Sequence, residues 1–286
     1  MEHYITKIKI TKLRHLSNIT ISLNPEQRQH LIITGKNGSG KTSLLLALEN
    51  HLKAINRHEL LDLVNIGYHV KHAKNPAESP AIWNKNANMN FLPTNYTDEL
   101  ELQFHNYQEI DNLYQQGNYV TAYFPANRET AIIRSKGVTE IKFDTSYPIN
   151  SSPGDLLHQY MVHLKTQQSY ALNEGDKEHA DRIQQWFNRF TGALRILLDD
   201  ASIELKYNYK DYNFLIVEDG RIPFSFDELS DGYSSVIHIV SDLILRMDKN
   251  WLLGNGLSQY DTEGIVLIDE LETHLHIELQ KKYCLF

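Results

Sequence analysis

The sequence predicts an α/β fold in which a strand, a glycine loop and a helix build a phosphate-binding turn, and three stretches carry that prediction. Residues 31–45, LIITGKNGSGKTSLL, pass from an apolar run through three glycines into a leucine-rich helical pattern. Residues 264–269, GIVLID, form a continuous apolar run closed by a carboxylate, the pattern of a strand buried on both faces. Between them, residues 226–240, FDELSDGYSSVIHIV, lead a Ser-Asp-Gly turn into an amphipathic helix.

The elements follow in order along the chain. YITKIKITKL and NITISLN alternate apolar and polar residues with period two, which predicts a pair of β-strands leading into a third at Leu31–Thr34. After the glycine loop, Leu44, Leu45, Leu48, Leu52 and Ile55 recur at helical spacing. Residues 57–96 are rich in Asn, His and Pro and read as a loop-rich insertion. DELELQF and NYVTAYF return to strand character. A helical lid or arm is expected over residues 131–200, with GDLLHQYMVHLKTQQ and RIQQWFNRFTGALRILL as its strongest segments; it is too short for a coiled coil. The basic and aromatic residues of RIQQWFNRF suit either a nucleic-acid surface or a lid helix with Trp186 and Phe187 packed inward. ASIELKYNY and YNFLIVEDGRIPFSF predict a hairpin followed by a glycine turn, and SSVIHIVSDLILRM an amphipathic helix.

Composition narrows the class. At 286 residues and 33.2 kDa the chain suits one domain, residues 1–286, carrying the two insertions. A formal net charge of −8 and a pI of about 5.9 give no global basic footprint for nucleic acid, although a local basic groove is compatible with them. The single cysteine, Cys284, excludes an internal disulfide and a multi-cysteine metal centre. MEHYITKIKI holds no apolar run of signal-peptide length, and no stretch approaches the roughly 18 apolar residues of a membrane span. A cytoplasmic protein with no membrane partner is expected.

The glycine loop matches G-x-x-x-x-G-K-[ST] from Gly35 to Thr42. Asn37, Gly38, Ser39, Gly40, Lys41, Thr42 and Ser43 are the candidate nucleotide-binding residues. Glycine lets backbone N–H groups converge on a phosphate where a side chain would obstruct it, and the helix N-terminus adds its positive dipole end. Lys41 would neutralise β- and γ-phosphate charge, and the Thr42 hydroxyl would ligate Mg²⁺. The competing reading is a strand-to-helix turn with no ligand, but a chance match in a chain of this length is on the order of 1%.

A phosphate loop of this kind needs a second oxygen ligand for its metal. Asp269, closing GIVLID, would hold Mg²⁺, and Glu270 would orient or deprotonate an attacking water; the plainer alternative is that the two acids cap the next helix. His274 and His276 share a parity but lack a third ligand suited to zinc. Ser230-Asp231-Gly232 taken alone reads as an ordinary helix cap.

Taken together, ITKIKITKLRHLSNITISLN, the phosphate loop, LSDGY and VLIDELETHLH resemble the ABC-type ATPase heads of the SMC, RecF and OLD group. Within that group they are most similar to the stand-alone AAA15/AAA21 heads of phage-defence and DNA-maintenance systems, such as the ATPase subunits of Septu-type systems. The resemblance covers roughly residues 1–56 and 200–280. It implies a P-loop NTPase fold: an ABC-type head with an N-terminal β-meander lobe and a helical insertion. It also implies ATP and Mg²⁺ as ligands and ATP hydrolysis as the activity. In such heads the signature of one protomer closes over the γ-phosphate held by another. Ser230 and Gly232 would therefore act in trans, and Lys41, Thr42, Asp269 and Glu270 in cis. YFPANRE stands at the Q-loop position without a glutamine, leaving Asn127 or Arg128 as the substitute, and ETHLHIE at the D-loop position makes His274 and His276 dimer-contact residues.

The family's switch histidine would lie beyond QKKYCLF, so the C-terminal part of the head is expected to be missing, which bears on hydrolysis more than on binding. The implied function is an ATPase whose nucleotide-driven homodimerisation, or higher homo-oligomerisation, regulates DNA-directed work in anti-phage defence or DNA repair. A nuclease or other effector protein, and DNA itself, are the candidate partners. The alternative is a non-hydrolysing, nucleotide-gated scaffold that sequesters an effector. A transporter ATPase subunit fits poorly, because the front β-pair and the long gap between LSDGY and Asp269 are foreign to it.

Overall fold

The computed structural model describes residues 2–53, 99–106, 109–127, 135–139, 141, 143–252 and 262–270. The loop-rich insertion at 57–96, Arg128, the D-loop histidines His274 and His276, Cys284 and the QKKYCLF end lie outside the described residues. The chain divides into two compact units: residues 1–123, 145–151 and 259–269, and residues 124–144, 152–258 and 270–286.

The first unit opens with β1 (Ile5–Leu13) and β2 (Leu16–Ser22), joined by a tight turn at Arg14 and His15. Alternation along β1 sends Ile8 and Ile10 into the core, a register shift between Ile10 and Lys12 brings Leu13 into the same core, and all three are buried. Lys7, Lys9 and Lys12 alternate with them on β1. The third strand of this antiparallel sheet is β3 (Glu99–Phe104), giving the order β2-β1-β3. Its acids fall opposite the lysines: Lys9 pairs with Glu101 at 3.5 Å, and Glu99 stands across from Lys12.

The strand expected at Leu31–Thr34 is not formed; no strand pairing is found there, and Leu31 and Ile32 are 38% and 55% exposed. An apolar run supplies side chains for a strand, but strand structure requires a neighbour to complete its hydrogen bonds. Ile33 still packs against the core of this unit.

Helix α1 (Lys41–Leu52) buries Leu44, Ala47, Leu48 and Leu52 in that same core, and α2 (Ile110–Gln116) adds Ile110 and Tyr114. A second sheet joins β4 (Tyr119–Phe124), whose last residue falls to the other unit, to β8 (Glu263–Ile268). The two strands approach so closely that a Cβ on Gly264 would lie 2.1 Å from the Val120 carbonyl oxygen. The start of β8 is fastened to the N-terminal segment: the His3 N–H donates to Glu263 Oε2 at 2.8 Å, and the Tyr119 hydroxyl donates to the His3 carbonyl at 3.1 Å.

The second unit is a helical hairpin with a small sheet and a long helix. α3 (Leu157–Glu174) ends at Gly175, whose left-handed φ of 81° closes the turn. Asp176 caps α4 (Lys177–Leu198) by accepting from the His179 N–H at 3.0 Å. Ile183, Trp186, Phe187, Phe190, Leu194 and Leu197 recur at helical spacing on α4 and are buried. The aromatics of RIQQWFNRF are thus core residues, with the Trp186 indole stacked on Phe190 at 5.4 Å between centroids. β5 (Glu204–Asn208), β6 (Asn213–Val217) and β7 (Phe224–Ser225) form an antiparallel sheet in that order, with Phe214 and Ile216 fully buried. Helix α5 (Asp231–Leu252) completes the unit.

Candidate functional site

The phosphate-loop geometry follows from which residues lack side chains. Gly38 and Gly40 take φ of 79° and 98°, a left-handed conformation in which an L side chain is strained. The Ser39 N–H donates to the Lys36 carbonyl at 3.0 Å and closes the turn, and the first α1 bond runs from the Leu44 N–H to the Gly40 carbonyl at 2.9 Å. The N–H groups of Lys41, Thr42 and Ser43 precede that first bond. No side chain caps α1, and its first turn holds no acid, so the N-terminus keeps its positive polarity. The Lys41 ammonium bends back across the loop, donating to the Gly35 carbonyl at 2.9 Å and the Lys36 carbonyl at 3.3 Å. Asn37, Gly38 and Thr42 are exposed, while Ser39, Gly40, Lys41 and Ser43 are half-buried.

Asp269 stands just past the end of β8, 2% exposed, and α1 packs against that strand. The phosphate loop and Asp269 therefore belong to one compact unit. Together they offer a lysine, hydroxyl and backbone N–H donors for polyphosphate and a buried carboxylate for a hard, oxygen-seeking cation. The fit is also steric, since a Cβ on Gly38 would meet open space within 4 Å, leaving room above the loop. Glu270 follows directly, half-buried, with a φ of 48° that is uncommon for a residue with a side chain.

The signature segment lies in the other unit. A short turn at Phe226–Glu228 precedes it, fixed by Ser225, whose N–H donates to Glu228 Oε2 at 2.7 Å and whose hydroxyl also contacts Asp227. The Ser230 carbonyl accepts from the Ser234 N–H at 2.9 Å, which makes Ser230 the exposed N-cap of α5, and Gly232 sits half-buried in the first helical turn. Asn127 is exposed just beyond β4.

His15 is a neighbour that sequence patterns do not reveal. A Cβ on Gly40 would lie 3.0 Å from Leu16 Cδ1 and 3.2 Å from the His15 Cε1 and Nε2, so the β1–β2 turn lies directly against the phosphate loop. The one local signal is its turn chemistry: Arg14 adopts a φ of 53°.

Comparison with known proteins agrees with this architecture. The family described as "AAA domain, putative AbiEii toxin, Type IV TA system" matches residues 151–282, a span that holds Ser230, Gly232, Asp269 and Glu270. The chain is 22% identical over 285 residues to "Septu protein PtuA" of Bacillus mycoides (strain KBAB4), covering 96% of this chain and 35% of that protein. It is 25% identical over 288 residues to "Septu protein PtuA" of Bacillus thuringiensis, covering 97% of this chain and 66% of that one. Over 67 residues it is 34% identical to "Retron Ec83 probable ATPase" of Escherichia coli, covering 23% and 12% of the two chains. The chain thus spans 35% and 66% of the length of these two Septu relatives.

The fold is the mixed α/β fold of a P-loop NTPase, and its residues 151–282 are those that match the AAA-domain family. Within that class the chain is similar to the AAA15/AAA21 group of ATPases and to the Septu proteins named above. No described helix is long and apolar enough to cross a membrane.

Proposed function

We propose that the chain is an ATP-binding and ATP-hydrolysing head whose nucleotide-driven dimerisation regulates a DNA-directed activity in phage defence, through a partner nuclease. The observation that carries this reading is the uncapped N-terminus of α1, roofed by Lys41, in the same unit as the buried Asp269 carboxylate. The N–H groups of Asn37, Gly38, Gly40, Lys41, Thr42 and Ser43 take the β- and γ-phosphates, while that of Ser39 closes the loop on the Lys36 carbonyl. The Lys41 ammonium, free to exchange its two carbonyl partners for phosphate oxygens, neutralises their charge. The Thr42 hydroxyl and Asp269 would hold Mg²⁺, which would supply electrostatic stabilisation of phosphoryl charge when bound. Glu270 orients the attacking water. Ser230 and Gly232 of a second copy close over the γ-phosphate, so that two nucleotides are held between two protomers. The similarity to Septu proteins supports a defence role and, with it, a partner protein.

The test is ATP-dependent mass by light scattering. Gly232→Arg leaves nucleotide binding to the single chain nearly intact but abolishes association, because it obstructs only the trans contact. Lys41→Ala abolishes both. Mixing the two variants restores partial association, since one composite site per heterodimer is then intact. A Gly232→Arg variant that assembles like the wild type would return LSDGY to an ordinary helix cap. Hydrolysis by the assembled wild type separates an ATPase from a nucleotide-gated scaffold.

A further inference from the structure

Helix α5 is attached to its own unit by a buried polar cluster rather than by apolar packing alone. His238, Ser241, Asp242, Arg246 and Asp248 are each at most 5% exposed. Asp242 binds the Arg246 guanidinium one turn along, and Asp248 Oδ2 accepts from the Trp186 indole N–H at 2.6 Å. Burial pushes the Asp242 carboxyl above its ordinary value, with Arg246, the Gly154 N–H and His238 opposing. Burying such groups carries a desolvation penalty, and apolar residues of similar volume often serve stability as well or better. What a polar cluster adds is a directional fixing of position.

Two of these residues grip one short turn. His238 Nε2 is bonded to Asp155 Oδ1 at 2.9 Å, and Asp242 Oδ2 accepts from the Gly154 N–H at 3.1 Å. His238 and Asp242 are one helical turn apart on α5, and Gly154 and Asp155 are adjacent in the Pro153–Leu156 turn that opens α3. The fit is close: a Cβ on Gly154 would lie 2.9 Å from the Asp242 backbone nitrogen and 3.0 Å from its Cα. His238 Nδ1 is buried and makes no hydrogen bond among the described residues, so the bond to Asp155 is the ring's hydrogen bond there. The chain re-enters this unit at Ser152, immediately before the turn.

We propose that His238 and Asp242, clamped to Asp155 and Gly154, are positioning residues that set the axial placement and rotation of α5 and thereby present Ser230 and Gly232 to the nucleotide of a second copy. His238 lies two turns beyond Ser230, about 12 Å along a rigid helix, so a slip at the clamp becomes a displacement of the signature turn. A misplacement of about 1 Å in a composite site can cost on the order of 100-fold. This inference rests on the composite-site reading above.

The experiment compares Asp155→Ala with Asp155→Asn in the intact chain, because Asn keeps an acceptor for His238 and Ala does not. The Asp155 side chain is 38% exposed, so its truncation opens no sealed cavity. Fluorescent ATP analogue affinity, ATP-dependent association and thermal midpoint are measured for each. Asp155→Ala is expected to weaken association about tenfold or more with analogue affinity unchanged, while Asp155→Asn stays within about twofold of the wild type. Association unchanged in Asp155→Ala, or lost equally in both, overturns the proposal. Should Asp155→Ala not fold, Gly154→Ala, which forces the turn away from Asp242, takes its place against Asp155→Asn. Gly232→Arg run alongside separates the two failures. If it abolishes association and the clamp variants do not, only the clamp is wrong; if it does not, the composite site falls and the clamp proposal with it.

Discussion

At the residue scale, the proposed site rests on positions whose conformation a side chain would spoil or whose charge has no substitute. Lys41→Ala removes the ammonium that spans the Gly35 and Lys36 carbonyls, and the side chain lies at the loop rather than in a core, so no cavity opens. Loss of nucleotide binding with an unchanged thermal midpoint is expected from titration with a fluorescent ATP analogue. Gly40→Ala acts differently, because a left-handed φ of 98° costs an L residue roughly 1–2 kcal/mol and the new Cβ meets Leu16 and His15. It should lower both the denaturation midpoint and nucleotide affinity, and an undisturbed midpoint would contradict the strain argument. Glu270→Gln keeps shape but removes charge, so turnover should fall while ATP-bound dimers accumulate in single-turnover assays. The loop residues are legible in the sequence because their geometry is local. His15 is not, since its contact with Gly40 joins positions 25 residues apart.

At the scale of elements, α1 carries a pH dependence. Burial holds the His51 imidazole below its ordinary value of 6.5, with hydrogen bonds to the Ala47 and Leu100 carbonyls opposing. The folded state therefore favours the neutral ring. This contribution to stability is complete above pH 6.5 and is lost as the pH falls through the lowered folded value, because the unfolded chain takes up its proton first. Denaturant midpoints from neutral to mildly acidic pH should fall more steeply for the wild type than for His51→Gln, and parallel curves would refute the assignment. The β4–β8 pair is equally specific. Gly264→Ala would set a Cβ 2.1 Å from the Val120 carbonyl oxygen, so the strands must part. That variant should be markedly destabilised, and its Asp269 displaced enough to weaken Mg²⁺-dependent nucleotide binding. β1, β2, β3 and the long helices were legible from periodicity, whereas Leu31–Thr34 looked like a strand because its apolar run says nothing about whether a partner strand lies beside it.

At the scale of the whole molecule, a ligand that binds only the folded chain stabilises it by mass action, by about 2.7 kcal/mol at 100 times its dissociation constant. ATP with Mg²⁺ should raise the melting temperature by several degrees in the wild type and in dilute Gly232→Arg, and not in Lys41→Ala. No shift in the wild type would remove the nucleotide reading altogether. By itself the sequence determined the α/β class and the phosphate loop, because a glycine pattern followed by Lys-Thr fixes backbone and charge within a few residues. For α4 the sequence left the basic and aromatic residues of RIQQWFNRF open between a binding surface and a packed face, and the burial of Trp186, Phe187 and Phe190 settles them as core. Only the tertiary structure decided which strand completes the first sheet, that the β1–β2 turn rests on the phosphate loop, and that α5 is clamped through His238 and Asp242 to a turn more than 80 residues earlier. Those are pairings between distant segments, chosen by hydrogen-bond completion and close packing, and no local pattern of residues encodes them.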